Sequence, residues 1–236
     1  MIKKILKNII NRLGYDVAKY SQSSAKTMLG LTASEFDLVV DVGANRGQFA
    51  RVARDKLPNV ELICFEPLGE PFEELSSWAL TQGSMVRCFQ AALSDEVGEV
   101  HMNVHIDHFP SSSLLEATAV THELFPKTKK TSTRSVRLDT LDSFFNSNNL
   151  MSKSNVLLKL DVQGSEDRVL RGGRKTLGQC LAVVLEVCID QLYHDQADFI
   201  VLANLLFESG LSYRGNLNQV SGSDGKVTFL DAVFTR

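Results

Sequence analysis

The chain has 236 residues, of which 44% are hydrophobic and 22% are charged. This composition predicts one α/β domain of ordinary size and excludes general disorder. The net charge of −3 argues against a dedicated nucleic-acid binder, and no apolar run approaches the roughly 18 residues of a membrane-spanning helix. The four cysteines are dispersed without a C-x-x-C pair, which is typical of reduced core residues in a cytoplasmic protein.

The first residues form a separate pattern. Over residues 1–13, isoleucines and leucines recur at helical spacing with lysines and one arginine between them, and Gly14 ends the pattern. This predicts a helix that either packs on the main domain or makes a peripheral contact with the inner face of a membrane. We therefore predict an N-terminal helical segment over 1–35. The oligomeric state is not readable from the sequence.

From residue 36 onward, short apolar runs, the first of them rich in β-branched residues, alternate with helical patterns. Strands are predicted over 38–42, 61–65, 85–89, 155–160 and 181–185. Helices are predicted over 48–56, 71–80, 166–171 and 196–208. Residues 211–214 and 227–234 flank a glycine-containing turn and predict a closing hairpin. The alternation predicts a mostly parallel sheet with helices on both faces, to which the hairpin adds antiparallel strands.

Residues 98–150 break this alternation and are predicted to be an acceptor-side excursion from a single domain over 36–236. They contain a strand-like stretch, a serine-rich loop and a Thr/Lys-rich turn, and such insertions commonly carry specificity. The strand-like stretch has one polar face, formed by His101, Asn103, His105 and Asp107. A solvated surface is the leading interpretation of this face, and a sugar-contacting surface and a metal site are the alternatives. We predict no metal, because two histidines without a firm third ligand make a weak site.

The segment Asp41-Val42-Gly43-Ala44-Asn45-Arg46-Gly47 joins the first strand to the first helix. It lies at the carboxyl end of the strand, where open α/β sheets bind ligands. Gly43 lets the chain turn sharply and lets a ligand approach the backbone, and Gly47 permits close contact between helix and strand. Asn45 replaces the middle glycine of the dinucleotide fingerprint, and the P-loop pattern is also absent.

Two carboxylates indicate which ligand this loop binds. Asp41 suits a cationic or amine group, and Glu66, at the end of the second strand, suits bidentate hydrogen bonding to a ribose diol. An adenosine that carries a sulfonium amino acid fits both better than a dinucleotide does. The alternatives are a loop cap for Asp41 and a surface position for Glu66.

The loop looks like motif I of the class I S-adenosylmethionine-dependent methyltransferases, and further segments follow it in order. These segments are Cys64-Phe65-Glu66-Pro67, Ala91-Ala92-Leu93-Ser94 with Gly98, Ser111-Ser112-Ser113-Leu114, Val136-Arg137-Leu138-Asp139-Thr140-Leu141, Leu158-Lys159-Leu160-Asp161-Val162-Gln163-Gly164-Ser165-Glu166 and Val169-Leu170-Arg171-Gly172. Together they resemble the FkbM family of O-methyltransferases over roughly residues 36–236. The chain departs from the family at Gln163, where an acidic residue is usual, and this weakens any role there that needs a charge.

The resemblance implies a Rossmann-like sheet of seven strands in the order 3-2-1-4-5-7-6. It also implies S-adenosylmethionine as cofactor and methyl transfer to a hydroxyl, often of a sugar or a glycosylated metabolite. The predicted cofactor residues are Asp41, Gly43, Asn45, Gly47, Glu66 and Ala92. One alternative is an NAD-dependent oxidoreductase, which Asn45 disfavours. The other is a non-catalytic family member that only binds the cofactor, and Gln163 is its best support.

Methyl transfer is an in-line displacement that needs an aligned nucleophile, and a hydroxyl nucleophile benefits from a base. Asp161, at the end of the fourth strand, is predicted to position or deprotonate the hydroxyl. Lys159 shares its strand face and is predicted to pair with it or to stabilise an alkoxide, with a purely structural ion pair as the alternative. The residues predicted to contact a small-molecule or glycan acceptor are His108, Ser112, Gln163 and Glu186. Tyr193 lines the acceptor pocket or starts a helix.

Overall fold

A computed structural model describes residues 28–222 and 224–236. The predicted helix over residues 1–13, its predicted membrane contact and most of the 1–35 segment lie outside these residues. Within the described part, no helix is long and apolar enough to cross a membrane. The first described element is a short 3-10 helix over Met28–Ala33, which is interrupted at Leu29 and Gly30, where φ is positive; Met28 is buried.

The described residues contain ten strands and seven α-helices. The strands are β1 (Leu38–Val42), β2 (Glu61–Phe65), β3 (Val86–Phe89), β4 (Ala92–Leu93), β5 (Gly98–His105), β6 (Thr131–Asp139), β7 (Val156–Leu160), β8 (Cys180–Cys188), β9 (Ser212–Ser221) and β10 (Val227–Thr235). The helices are α1 (Gln48–Lys56), α2 (Gly69–Leu80), α3 (Ala119–Leu124), α4 (Leu141–Ser147), α5 (Glu166–Gly172), α6 (Arg174–Leu177) and α7 (Phe199–Glu208).

Seven strands form the main sheet, in the order β3-β2-β1-β7-β8-β10-β9. The first five are parallel neighbours, and β10 runs antiparallel to both β8 and β9. When only the strands of this sheet are numbered, the order is 3-2-1-4-5-7-6. The predicted fold and the closing hairpin are therefore confirmed.

The excursion is more regular than the sequence indicated. Strands β4, β6 and β5 form a second sheet of three strands. Helix α4 was not predicted; it begins at Leu141 and is capped by Thr140, whose hydroxyl accepts a hydrogen bond from the Ser143 N–H at 3.0 Å. Phe144 and Phe145 on this helix pack into the main core, which ties the end of the excursion to the sheet.

Three predicted boundaries need correction. The strand predicted over 211–214 is the longer β9, Ser212–Ser221, because it pairs with β10 as far as the Val227–Ser221 register. The fifth strand of the main sheet runs to Cys188 and not to Leu185, because β10 pairs with it as far as the Phe229–Cys188 register. Glu186 therefore lies inside a strand and not at its end. Helix α7 begins at Phe199 because the Asp198 carboxylate accepts the Val201 N–H at 2.8 Å and caps the helix.

Strand β1 is buried on both faces, which explains its continuous apolar run. On one face Val40 belongs to a cluster with residues of α4, α5 and α7, and on the other face Val39 belongs to a cluster with residues of α1 and α2. All four cysteines are free; three are buried and Cys88 is half-buried. The interpretation of the cysteines as reduced core residues is consistent with this.

The contact between α5 and the end of β4 leaves no room for a side chain at Gly172. A Cβ atom there would lie 2.0 Å from the carbonyl oxygen of Ser94. We expect Gly172→Ala to lower the free energy of unfolding by about 2 kcal/mol, because backbone must move to admit the methyl group. Chemical denaturation measures this loss. Gly69→Ala is the matched control, since the nearest atom to its added Cβ would be 3.8 Å away; equal losses in both variants would contradict the expectation.

Candidate active site

A cavity of about 400 Å³ lies at the carboxyl ends of β1, β2 and β7, in the size range of small-molecule sites. It brings together eleven of the twelve residues that the sequence predicted for the site. These are Asp41, Gly43, Asn45, Glu66, Ala92, His108, Ser112, Lys159, Asp161, Gln163 and Glu186. The segment Lys159–Gln163 and the loop after β1 therefore meet in one cavity, as the resemblance implied.

Gly43 allows these two segments to approach each other. Its φ is +80°, and a Cβ atom would lie 2.0 Å from the carbonyl oxygen of Asp161. Gly47, the twelfth residue, does not line the cavity. A Cβ there would lie 2.9 Å from Leu75 Cδ1 of α2, so Gly47 permits a contact between two helices and not the predicted contact between helix and strand.

Glu66 is buried and connects the loops that follow β1 and β2. Its Oε2 accepts the N–H of Asn45 at 2.9 Å, and its Oε1 accepts the N–H of Leu68 at 2.8 Å. Burial raises the pKa of Glu66 to about 7, and these hydrogen bonds only partly offset the rise. Each oxygen retains a lone pair for a ligand. The alternative of a surface position for Glu66 was wrong.

Asp41 lies inside β1 and is 1% exposed. Its Oδ2, like the Oδ1 of Asn45, is buried and has no hydrogen-bond partner among residues 28–222 and 224–236. Burial raises the pKa of Asp41 to about 7, although Lys159 lowers it in part. Buried acceptors without partners are costly in a folded protein. Both atoms therefore fit a ligand that brings N–H, O–H or cationic groups to this end of the cavity.

Lys159 is a buried cation surrounded by carboxylates. Its Nζ lies 3.5 Å from Asp161 Oδ2 and 3.3 Å from Asp231 Oδ1, and donates to the Leu160 carbonyl at 3.1 Å. Burial lowers the pKa of Lys159, but the neighbouring carboxylates outweigh burial and raise it above its ordinary value. The ammonium group is therefore charged at neutral pH.

Asp231 is a cavity residue that the sequence analysis missed. It lies on β10 opposite Glu186 of β8. The hairpin pattern predicted β10, but its register against β8 depends on pairing between distant segments. No local signal in the sequence marked Asp231.

Gln163 connects the two carboxylates of the acceptor side. Its Nε2 donates to Asp161 Oδ1 at 2.8 Å and to Glu186 Oε2 at 2.6 Å, and its Oε1 accepts from the Tyr193 hydroxyl at 2.7 Å. Burial raises the pKa of Glu186 well above its usual range, and Asp161 raises it further. Tyr193 is buried and precedes α7 by several residues, so it does not start that helix.

The excursion contributes His108 and Ser112 to the cavity wall. His108 Nδ1 lies 2.9 Å from Ser111 Oγ, and Ser112 Oγ accepts the N–H of His105 at 3.1 Å. The predicted solvated face of β5 needs correction at His105, which is buried with its Nδ1 2.5 Å from the Thr128 carbonyl oxygen. In the part of the chain that the structure describes, no three His, Cys, Asp or Glu side chains are arranged to hold a metal.

The sheet order, the glycine loop after β1 and the carboxylate after β2 define a class I methyltransferase fold. The Methyltransferase FkbM domain matches residues 41–214, and the chain belongs to this family. It is an S-adenosylmethionine-dependent methyltransferase. The family resemblance seen in the sequence is thus confirmed, and an NAD-dependent oxidoreductase is not favoured.

Individual relatives share this assignment. The chain is 28% identical to the 2-O-methyltransferase NoeI of Sinorhizobium fredii (strain NBRC 101917 / NGR234) over 184 residues, which are 72% of this chain and 70% of that protein. It is 39% identical to the 31-O-demethyl-FK506 methyltransferase FkbM of Streptomyces tacrolimicus over 71 residues, which are 30% of this chain and 27% of that protein.

Among solved structures, the magnesium protoporphyrin IX methyltransferase ChlM of Synechocystis PCC 6803 with bound SAM is similar. The TM-score is 0.47 at 12% identity, and the match covers 98% of this chain and 96% of that one.

The buried carboxyl groups make the stability of the ligand-free protein depend on pH. Asp41 has a pKa of about 7 in the folded state and about 4 when unfolded, so between these values the folded state binds more protons. We therefore expect the melting temperature to fall as pH rises from 5 to 8, and Asp41→Asn to reduce this fall by roughly 5 °C. Calorimetry at four pH values measures the slope. Asp55→Asn, on the exposed side of α1, is the control. An unchanged slope in Asp41→Asn would contradict the assignment.

Proposed function

We propose that this methyltransferase transfers a methyl group to a hydroxyl of a sugar or a glycosylated metabolite. The observation that carries the proposal is the position of Asp161. Its carboxylate shares the cavity with the glycine loop and lies beside the charged Lys159. The printed names of both relatives, a 2-O-methyltransferase and a 31-O-demethyl-FK506 methyltransferase, refer to methylation at oxygen, which supports the same reaction here.

The cofactor half of the cavity is built from Asp41, Gly43, Asn45, Glu66 and Ala92. The unpartnered Oδ2 of Asp41 and Oδ1 of Asn45 fit the donors and positive charge of S-adenosylmethionine. The free lone pairs of Glu66 fit the two ribose hydroxyls. When bound, the cofactor supplies an electrophilic methyl group on a sulfonium centre.

The chemistry of the acceptor half follows from its charges. Asp161 would accept the proton of the acceptor hydroxyl. The methyl carbon that the cofactor supplies would pass from the sulfonium sulfur to the acceptor oxygen, and S-adenosylhomocysteine would leave. Lys159 pairs with Asp161 and holds its carboxyl group in place. In a buried setting such an ion pair is worth more than in water, and the fixed position of Asp161 contributes the alignment that an in-line displacement needs.

The lining of the cavity indicates an uncharged acceptor. Five carboxyl groups face the cavity, and Lys159 is the one lysine or arginine among its described lining residues. That lysine is already held by Asp161 and Asp231. Phe109, Phe125 and Phe229 add apolar surface, which suits the C–H face of a sugar ring. His108 and Ser112 are the polar groups that we assign to acceptor hydroxyls.

The first test is a panel of acceptors with labelled S-adenosylmethionine. We expect purified protein to methylate uncharged sugars or glycosides, and to use the matching sugar phosphates with a kcat/KM at least roughly tenfold lower, because each phosphate adds negative charge to an acidic cavity. Labelled product is measured after separation. Preference for the phosphates would overturn the uncharged class, and no oxygen-methylated product across the panel would overturn the proposed function.

The second test concerns the base. With the best acceptor of that panel, we expect Asp161→Ala to lower kcat by roughly 10²–10⁴-fold, because the proton of the hydroxyl has lost its acceptor. Affinity for S-adenosylhomocysteine, measured by calorimetry, should stay within a few fold. Asp167→Ala is the control, since Asp167 lies outside the cavity and pairs with Arg171 on α5. Activity retained in Asp161→Ala would exclude the role of base.

A further inference from the structure

A single amide nitrogen joins two carboxyl groups that come from different strands. Asp161 follows β7, whereas Glu186 lies within β8. The Nε2 of Gln163 donates to both of them, at 2.8 and 2.6 Å. Because the amide has two N–H groups and no charge, it satisfies both carboxyl groups without adding to the charge of the cavity.

The opposite end of the amide is also held. The Tyr193 hydroxyl lies 2.7 Å from Gln163 Oε1 and 2.9 Å from the carbonyl oxygen of Ser111. A hydroxyl that donates to Oε1 sets the orientation of the amide, so that its nitrogen faces the two carboxyl groups. The side chain is therefore fixed at both ends.

The backbone around Gln163 is arranged to present this side chain. Gln163 has a φ of +58°, in the left-handed region that residues other than glycine rarely adopt. Its carbonyl oxygen accepts the Ser113 hydroxyl at 2.7 Å, and the next N–H, of Gly164, donates to Glu166 Oε2 at 3.0 Å. A residue with a strained backbone that is held by several hydrogen bonds is typical of a functional position.

We infer that Gln163 is a positioning residue of the methyl transfer, which holds Asp161 and Glu186 together as a neutral bridge with two donors. Asp161 is then fixed through both oxygens, since Oδ1 accepts from Gln163 and Oδ2 faces Lys159. The inference rests on the proposed role of Asp161. It is tested by measuring unfolding and the binding of S-adenosylhomocysteine, and neither measurement needs an acceptor.

A glutamate at this position would have the same shape but would place a third carboxyl group against the other two. The titratable groups around the bridge come from every element packed against it. They are Asp41 on β1, Lys159 and Asp161 of the β7 segment, Glu166 on α5, Glu186 and Cys188 on β8, Tyr193 before α7 and Asp231 on β10. Most of them are acidic, so the folded protein would hold a proton on the new carboxyl group that the unfolded chain has already lost.

We expect the melting temperature of Gln163→Glu to fall below that of the parent protein by an amount that grows with pH. The deficit should be small at pH 5 and reach roughly 5 °C or more at pH 8. Adding Asp161→Asn to this variant removes one of the negative charges that repel the new glutamate. The difference in melting temperature at pH 8 should then become smaller. Gln219→Glu, which adds the same charge at an exposed position on β9, should show no such trend.

Gln163→Leu separates the bridge from mere packing. It removes both donors without adding charge. A hydrogen bond favours the ionised form of a carboxyl group, so the melting temperature should fall more at high pH than at low pH, whereas a loss of packing alone would be the same at every pH. Affinity for S-adenosylhomocysteine should stay within about threefold in each variant, because the side-chain hydrogen bonds of Gln163 go to Asp161, Glu186 and Tyr193 and not to the loops after β1 and β2.

Two outcomes would overturn the inference. One is a deficit in Gln163→Glu that is the same at all pH values and is unchanged by Asp161→Asn. The other is a loss of S-adenosylhomocysteine affinity of more than tenfold, which would make Gln163 a cofactor contact. An acceptor panel without product would reject the proposed function and leave these measurements unaffected, so the two failures are distinguishable.

Discussion

The site depends on one buried ammonium group. A lysine that is removed from water must be paired, or it loses its charge. Lys159 keeps its charge because Asp161 follows its own strand and Asp231 lies two strands away, on the antiparallel β10. The cation therefore requires the closing hairpin to be inserted beside β8. The positive charge in the cavity therefore depends on the strand order of the sheet.

The carboxyl groups differ because their surroundings differ. Asp41 and Glu66 lie in parts of the cavity where burial outweighs their partners, whereas Asp161 is partly exposed and touches the lysine directly. Burial thus raises the pKa of the two carboxyl groups on the cofactor side of the cavity, whereas the carboxyl group of Asp161, on the acceptor side, pairs with a lysine. That division is what a methyltransferase needs if one group is to take a proton while others bind the cofactor.

The features predictable from the sequence were those with a local signal. The short apolar runs marked β1 and β7, and the glycine loop placed Gly43 and Asn45 at the end of a strand. The features that escaped prediction depend on distant pairing. Asp231 enters the cavity only through the register of β10 on β8, and Glu186 proved to be internal because that same pairing lengthens β8. Gly47 faces α2 and not a strand. The loop sequence did not indicate this, because the packing of one helix against another depends on residues outside the loop.

The hydroxyl of Tyr193 touches both the serine-rich loop of the excursion and the amide that holds the proposed base. The part of the chain that we assign to acceptor recognition is therefore mechanically joined to the part that we assign to proton removal. A chimaera that takes residues 98–150 from another family member would place a foreign loop against the Tyr193 of this chain. To change the acceptor specificity, the segment around Tyr193 must therefore be exchanged together with the excursion, although the two are far apart along the chain.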